Sequence, residues 1–345
     1  MILKSIKLEN YTVFENLSIS FREGVNVFIG ENATGKTHLM KLLYAACMAN
    51  RKDTDFGAKI VRTMLPDDYR IARLVTKSPG NHTAVVRITA IGEKGESSRI
   101  LTISFDKNTK HWNGEVTGKG TWEKAFEGDL SNFIPAKEIL SHSYQLPAAA
   151  SVGNVSFDDT YLDIINAAKV DITMGKDSFS RGALLRKIEN MTGGKVKYDQ
   201  KKDEFYLRRG NSILEFNLVA EGVKKAGLLW LLTKNGTLEK GSVLFWDEPE
   251  ANINPSSIST IADILLELQK NGVQIFVATH DYFLAKYLDI FSNRRGEKEK
   301  VTYYSLFRSN ETGKTQVEIA DGFTILQNNP IVNTYLEIYR DEVLF

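Results

Sequence analysis

Residues 30–37 read GENATGKT and constrain the fold more than any other segment of the chain. They fit the pattern G-x-x-x-x-G-K-T, whose glycines let backbone N–H groups turn inward around a phosphate. The apolar run Val25–Ile29 precedes this loop, and His38–Asn50 follows it with helical spacing. A strand, a glycine loop and a helix in this order predict a nucleotide-binding site in an α/β protein.

Two side chains of the loop carry specific chemistry. We expect Lys36 to reach the β- and γ-phosphate oxygens of ATP and the Thr37 hydroxyl to ligate Mg²⁺. The alternative is a glycine turn with a surface lysine, which the flanking strand and helix disfavour. The expected nucleotide contacts are the loop and the residue after it: Gly30, Glu31, Asn32, Ala33, Thr34, Gly35, Lys36, Thr37 and His38.

A second apolar strand, Val243–Trp246, ends in Asp247 and Glu248. Because acids are costly inside a core, we expect both at the carboxyl end of the strand, where ligands bind in open α/β sheets. Asp247 suits a contact with Mg²⁺, direct or through another ligand, and Glu248 suits the general base that polarises the attacking water. A helix start before Pro249 is the alternative interpretation.

A third apolar strand, Val273–Ala278, is followed by Thr279 and His280. Apolar strands that alternate with helices predict a parallel sheet.

Residues 51–82 are polar and are expected to be irregular. The other predicted elements are strands at 2–8 and 17–21 around a turn at Asn10–Asn16, a hairpin at 84–91 and 100–106, helices at 158–191 with a break near Gly175, short strands at Lys195–Tyr198, Glu204–Arg208 and Ser212–Asn217, a helix at Gly222–Leu232, a hairpin at 301–308 and 315–320, and a helix at 330–342.

These motifs resemble the ABC-type ATPases of the chromosome-maintenance (SMC), RecF and overcoming-lysogenization-defect (OLD) group, over almost the whole chain. The resemblance implies an α/β fold of the ABC-type P-loop NTPase kind, with a mixed sheet core, an antiparallel β subdomain and a helical subdomain. Five segments match in order: Gly30–Thr37 as Walker A, Val219–Lys224 as the signature, Val243–Glu248 as Walker B, Glu250–Asn254 as the D-loop, and Thr279-His280 as the switch histidine.

The resemblance also implies roles and boundaries. Lys36, Glu248 and His280 are expected to be catalytic, His280 by contacting the γ-phosphate and positioning Glu248; a capping or core histidine is the alternative. Residues 1–345 are expected to form a single ABC-type ATPase domain. Its parts are a Walker A lobe with the β subdomain (1–150), a helical and hairpin insert (151–220), and a lobe with the signature, Walker B and switch histidine (221–345).

The signature departs from the family pattern, because Ala220 stands where a serine is usual. Gly222 and the following helix N-terminus still have N–H groups for a γ-phosphate, although a glycine that only starts a helix stays the alternative. Glu138 and Gln145 both remain open as the Q-loop residue.

The resemblance implies an ATP-sandwiched homodimer, or a higher oligomer, in which Gly222 of one copy covers the nucleotide of the other.

The first functional hypothesis is an ATPase that controls a separate effector, similar to compact ATPases of bacterial anti-phage systems, because there is little room for a long coiled coil or a fused nuclease. A RecF-like DNA-repair ATPase is the second hypothesis, and a transporter subunit ranks last.

Lys195–Lys202 and Arg294–Lys300 could contact nucleic acid, but solvated charge is the favoured interpretation. Trp112 and Trp122 are either partner contacts or packing.

Composition excludes several classes. The net charge is +1, from 44 basic and 43 acidic residues, so the chain as a whole has no electrostatic footprint for nucleic acid. Its single cysteine, Cys47, cannot form an internal disulfide and fits a reducing compartment. The N-terminus alternates like a strand and is no signal peptide, and no apolar run is long enough to span a membrane. We therefore expect a soluble, cytoplasmic protein.

Overall fold

The computed structural model describes residues 1–92, 97–151, 157–173, 175, 177–296, 300–309 and 311–344. The strands in these residues are β1 (Ile2–Tyr11), β2 (Phe14–Ser20), β3 (Val25–Gly30), β4 (Thr83–Ile91), β5 (Arg99–Asp106), β6 (Glu115–Thr117), β7 (Ser131–Ile134), β8 (Lys195–Asp199), β9 (Glu204–Arg209), β10 (Ser212–Glu215), β11 (Val243–Asp247), β12 (Gln274–Ala278), β13 (Val301–Arg308) and β14 (Thr315–Ala320). The helices are α1 (Lys36–Met48), α2 (Phe56–Met64), α3 (Lys119–Phe126), α4 (Leu146–Ser151), α5 (Asp159–Lys169), α6 (Phe179–Thr192), α7 (Glu221–Lys234), α8 (Pro255–Lys270), α9 (Tyr282–Arg294) and α10 (Pro330–Leu344).

A six-stranded mixed sheet forms the centre of the molecule, in the order β14-β13-β3-β12-β11-β7. The five strands from β13 to β7 are parallel, and β14 adds an antiparallel edge. Strands β3, β11 and β12 are buried along their whole length, as expected for a parallel sheet covered on both faces. The predicted mixed sheet core is confirmed.

The two faces of this sheet pack against different layers. One face carries an aromatic ladder across four neighbouring strands, in which Phe28, Phe276, Phe245 and Phe133 stack with interplanar angles of 13°, 15° and 15°. This face shares a core with α1 and the antiparallel sheet. The alternate residues of the same strands point to the other face and share a core with α5 to α9. Alternation along each strand thus builds two separate cores.

The antiparallel β subdomain is a five-stranded sheet in the order β2-β1-β4-β5-β6. The predicted hairpin at 84–91 and 100–106 is confirmed, with Ala84 opposite Phe105. The turn predicted at Asn10–Asn16 was too long. Tyr11 pairs with Phe14, so two residues make the turn, and Thr12 adopts a positive φ of 48° there. The strands therefore extend further than their alternation indicated.

The prediction that residues 51–82 are irregular was wrong for α2. Asp55 caps this helix by accepting a hydrogen bond of 2.7 Å from the Ala58 N–H. Phe56 and Ile60 are buried one helical turn apart. An Asp followed by apolar residues at this spacing is a helix signal that the polar flanks obscured.

The helical subdomain contains α5, α6 and the three-stranded antiparallel sheet β10-β9-β8. The interval between α5 and α6 includes Gly175, so the predicted break is confirmed. The two tryptophans differ: Trp122 is buried and donates from its indole N–H to the Ala46 carbonyl over 3.0 Å, whereas Trp112 is 42% exposed. Trp122 is therefore a packing residue.

Candidate nucleotide site

The glycine loop begins where β3 ends, at the carboxyl edge of the central sheet. Gly30 has a φ of 144° and Gly35 a φ of 97°, a region that residues with a side chain rarely adopt. A Cβ at Gly30 would lie 2.2 Å from the Leu306 carbonyl oxygen, and one at Gly35 would lie 2.4 Å from the ring of Phe14. Both positions therefore require glycine.

Hydrogen bonds within the loop hold its shape. The Thr34 hydroxyl donates to the Glu31 carbonyl over 2.8 Å. The Lys36 ammonium donates to the carbonyls of Gly30 and Glu31, each over 2.8 Å. Burial lowers the pKa of Lys36 to about 8, and the nearby Asp247 acts against this. Lys36 is thus a buried cation inside the loop.

The N-terminus of α1 presents free backbone donors. The first helical hydrogen bond runs from the Leu39 N–H to the Gly35 carbonyl over 2.9 Å. The N–H groups of Lys36, Thr37 and His38 precede it and find no helical acceptor. Together with the helix dipole, they form a site suited to phosphate.

Thr37 and Asp247 meet across the cleft between α1 and β11. The Thr37 hydroxyl donates to a carboxylate oxygen of Asp247 over 3.0 Å. Burial raises the pKa of Asp247 to about 6, and the hydrogen bond from Thr37 opposes this. Two hard oxygen donors at this distance, one of them a buried carboxylate, fit Mg²⁺, which takes few protein ligands beside phosphate and water. The described residues contain no larger group of His, Cys, Asp and Glu that could hold a metal alone.

Glu248 and His280 face each other at the same edge of the sheet. Nε2 of His280 lies 4.0 Å from Oε1 of Glu248. The backbone of Glu248 has a positive φ of 45°, unusual for this residue type and a form of strain that concentrates at functional sites. Burial, with Lys36 nearby, lowers the pKa of His280, so its ring is neutral at pH 7.

These groups surround one cleft of about 340 Å³. Its lining residues are Val13, Asn32, Ala33, Gly35, Lys36, Thr37, His38, Asp247, Glu248 and His280. Three predicted contacts are not among them: Gly30, Glu31 and Thr34 shape the loop through their backbone or hydroxyl groups. The sequence prediction that Lys36, Thr37, Asp247, Glu248 and His280 share one site agrees with their placement, and their chemical roles stay predictions.

Two family models match the chain. One is described as an AAA domain, putative AbiEii toxin, Type IV TA system, and matches residues 140–286; the other is described as an AAA ATPase domain and matches residues 1–72. The DNA replication and repair protein RecF of Bacillus cytotoxicus is 31% identical over 111 residues, which are 32% of this chain and 29% of that protein. RecF of Lysinibacillus sphaericus is 37% identical over 101 residues, 29% of this chain and 27% of that protein. The match thus spans under a third of the length of these curated relatives.

Solved structures match over nearly the whole chain. An SmcHead bound to the C-winged helix domain of ScpA has a TM-score of 0.60 at 13% identity, over 93% of this chain and 98% of that one. The SMC head domain from Thermotoga maritima has a TM-score of 0.53 at 14% identity, over 93% and 99%. The chain has the fold of SMC head domains, and its matched segments are similar to AAA ATPase domains and to RecF. The resemblance and fold class predicted from the motifs are confirmed.

The glycine of the predicted signature lies away from the cleft of its own chain. Gly222 sits in the first turn of α7, where an added Cβ would be 3.5 Å from Ile253 of the D-loop. It is not among the described residues that line the cleft. Ala220, at the N-cap position, makes no capping hydrogen bond through its side chain. The contact between Gly222 and the nucleotide of a second copy stays a prediction.

Neither candidate for the Q-loop lines the cleft in the part of the chain described. The Glu138 carboxylate accepts from the Ser141 N–H over 3.2 Å, and the Gln145 side-chain amide donates to the Tyr144 hydroxyl over 3.1 Å. The choice between them stays open.

Lys225 and Glu250 lie behind the cleft, and the sequence predicted no individual role for either. The buried Lys225 ammonium donates to the carbonyls of Glu248 and Ala251 over 3.1 and 2.8 Å, so α7 holds the turn that follows Walker B. Lys225 stands just before the apolar run of α7, and a lysine on a buried helix was the available signal. Glu250 was placed in the D-loop without a role.

No helix in the described part of the chain combines the length and apolarity that a bilayer crossing requires.

Proposed function

We propose that this ATPase binds ATP and Mg²⁺ in the cleft, hydrolyses the ATP between two copies of the chain, and thereby controls a separate effector protein in bacterial anti-phage defence. The observation that carries the proposal is the grouping of a buried lysine, a hydroxyl–carboxylate pair and a glutamate–histidine pair around one cleft. Each element suits one need of phosphoryl transfer: phosphate charge, metal and attacking water.

The side chains divide the work as follows. The Lys36 ammonium and the amides of α1 hold the β- and γ-phosphate oxygens. Thr37 and Asp247 are the residues that would hold Mg²⁺, which when bound neutralises phosphate charge. Glu248 accepts a proton from the water whose oxygen bonds to the γ-phosphorus, while the bond to the bridging oxygen of ADP breaks. Neutral His280 orients Glu248 and hydrogen-bonds the γ-phosphate.

The position of the predicted signature supports dimerisation. Because Gly222 lies outside its own cleft, the N-terminus of α7 is available to another copy. Closing two copies head to tail would exclude water from the nucleotide and strengthen each charge contact. Hydrolysis then opens the dimer, which gives an effector two states to recognise.

An effector role is supported by the comparisons. The model matching residues 140–286 describes a putative AbiEii toxin of a Type IV toxin–antitoxin system, and the SmcHead neighbour is bound to a domain of another protein, ScpA. We propose that this ATPase likewise works with a protein partner.

The test is the Glu248→Gln variant, which binds ATP but lacks the proton acceptor. We expect it to elute as a dimer with ATP and Mg²⁺ and as a monomer with ADP, while its phosphate release falls about 10²- to 10⁴-fold. Lys36→Met is the matched control and should stay monomeric with ATP. A Glu248→Gln protein that stays monomeric at saturating ATP contradicts the dimer, and unchanged hydrolysis contradicts the assignment of Glu248. Affinity capture with the trapped dimer then identifies the effector.

A RecF-like function in DNA repair is the second candidate, favoured by the identity of 31–37% to RecF proteins over short segments. The lysines of the predicted patch Lys195–Lys202 are exposed, but Asp199 lies within it and Asp203 and Glu204 follow it, so its charge is mixed. Of the other patch, Arg294–Lys300, residues 297–299 lie outside the described residues. A gel shift of duplex DNA that weakens steeply with salt would favour this candidate, and no shift at low salt would exclude it.

A further inference from the structure

The Glu250 carboxylate lies behind the cleft, in the loop between β11 and α8. Its Oε1 accepts two hydrogen bonds, from the Thr279 hydroxyl over 2.7 Å and from the backbone N–H of His280 over 3.2 Å. Glu250 thus joins the end of the Walker B segment to the end of β12, which carries the switch histidine.

The segment from Thr279 to Asp281 is held from several sides. The Thr279 N–H donates to the Phe28 carbonyl of β3 over 3.0 Å. The Thr279 hydroxyl, besides donating to Glu250, accepts from the Asp281 N–H over 3.0 Å. Asp281 caps α9 by accepting from the Leu284 N–H over 2.6 Å. Within the described residues, the backbone N–H of His280 has a single acceptor, Glu250.

The environment of Glu250 disfavours a carboxylate. Its second oxygen, Oε2, is buried and has no hydrogen-bond partner among the described residues. The charged groups facing it are Lys225 from α7 and Asp281 from the β12–α9 turn, and the Lys225 ammonium donates to backbone carbonyls instead. A buried carboxylate with one unpaired oxygen destabilises a fold, and such groups cluster at functional sites.

We propose that Glu250 is a positioning residue for hydrolysis, which fixes the backbone at His280 so that the imidazole stays beside Glu248. This inference rests on the proposed function, since it concerns the same reaction. The imidazole lies 4.0 Å from Glu248, and a displacement of about 1 Å at a reacting group can lower the rate by about 10²-fold. Glu250 does not line the cleft in the part of the chain described, so it acts through His280.

The test measures kcat and KM for ATP in Glu250→Ala and Glu250→Gln. Alanine removes the acceptor of two hydrogen bonds, so kcat should fall about 10-fold or more while KM changes about twofold or less. Glutamine keeps an acceptor oxygen without the charge, so kcat should stay within about threefold of the wild type. A Gln variant as inactive as the Ala variant, in folded protein, overturns the proposal.

A double-mutant cycle separates positioning from general damage. In a His280→Ala background, Glu250→Ala should lower kcat no further, because its effect passes through the imidazole. An equal loss in both backgrounds overturns the proposal. Thr279→Val, which has nearly the same shape, repeats the cycle should Glu250→Ala not fold. It removes the hydroxyl that donates to Glu250 and also the acceptor of the Asp281 N–H. It should lower kcat about 2- to 10-fold, and only when His280 is present.

Glu318→Ala is the control for loss of a carboxylate that binds backbone amides. Glu318 accepts from the N–H groups of Gln327 and Asn328 over 2.8 and 2.7 Å, and it does not line the cleft. The kcat of Glu318→Ala should match that of the wild type.

Failure of the proposed function would give a different result: the wild-type chain would then release no phosphate, or Glu248→Gln would release it normally. Wild-type hydrolysis that depends on Glu248 but not on Glu250 counts against this inference alone.

Discussion

The nucleotide cleft and the junction between α2 and α5 both bury a lysine. The groups that bind the two ammonium ions differ. At the junction, Lys59 is 4% exposed and its ammonium lies 2.6 Å from carboxylate oxygens of both Asp159 and Asp163. In the cleft, the Lys36 ammonium binds two neutral loop carbonyls, and burial lowers its pKa to about 8. One lysine is paired with acids of the chain, and the other is poised for an anion.

On the proposed function, the difference separates a structural charge from one that binds a ligand. A buried charge with its partner in the chain stabilises the fold as long as both are present, because removal of one leaves the other uncompensated. A buried charge whose partner is a ligand carries its desolvation cost in the free protein and recovers it on binding. The two lysines should therefore respond oppositely to the same substitution.

Lys36→Met should have the largest effect on activity and a small or favourable one on stability. Loss of the ammonium should lower ATP hydrolysis by about 10²- to 10³-fold or more, the scale of losing one preorganised donor in a phosphoryl-transfer site. The free energy of unfolding without nucleotide should stay equal or rise, since a desolvated charge is removed. Phosphate release, ATP calorimetry and urea unfolding measure these quantities. Normal hydrolysis would show that Lys36 is not a phosphate ligand.

Lys59→Met should do the reverse. It leaves Asp159 and Asp163 without their common partner, and because both acids keep some solvent contact, we expect a loss of about 2–4 kcal/mol in the free energy of unfolding. ATP affinity, measured under conditions where the protein remains folded, should be close to that of the wild type. A loss below about 1 kcal/mol would place this pair with ordinary surface ion pairs.

The parts of the molecule that could be predicted from the sequence are those that leave a local pattern in it. The loop at Gly30–Thr37 and the acids after Val243–Trp246 were found because a strand, a glycine turn and a helix leave a local pattern. The buried strands were found because both faces of a parallel sheet are covered, so every position is apolar. Local rules were sufficient for these elements.

Long-range contacts were not predictable in this way. Lys59 meets residues about a hundred positions away, and nothing in its own segment indicates acids there. The role proposed for Glu250 depends on Thr279, which is distant in sequence and reaches it only because β11 and β12 are neighbours in the sheet. Lys225 likewise acts on a turn that its own helix does not specify.

Glu250→Gln should change how stability depends on pH. Burial raises the pKa of Glu250 from 4.5 to about 7, so between these values the folded protein keeps a proton that the unfolded chain has lost. The free energy of unfolding should therefore fall as pH rises through this window, and Glu250→Gln should remove about 1–3 kcal/mol of that fall. Urea unfolding of both proteins at pH 5 and pH 8 measures the difference. Parallel pH dependence in the two proteins would mean that Glu250 is ionised normally.

Arg62→Ala should have the smallest effect, and it sharpens the comparison because Arg62 binds the same acid as Lys59. Its Nε lies 3.0 Å from Oδ2 of Asp159, but the Arg62 side chain is 50% exposed. Water competes for an exposed guanidinium, so we expect a loss of about 0.5 kcal/mol or less in the free energy of unfolding, reduced further by salt. Urea unfolding at low and high salt measures it against Lys59→Met. If Arg62→Ala destabilised the protein as much as Lys59→Met, burial would not be what distinguishes the two cations, and the contrast between the junction and the cleft would lose its physical basis.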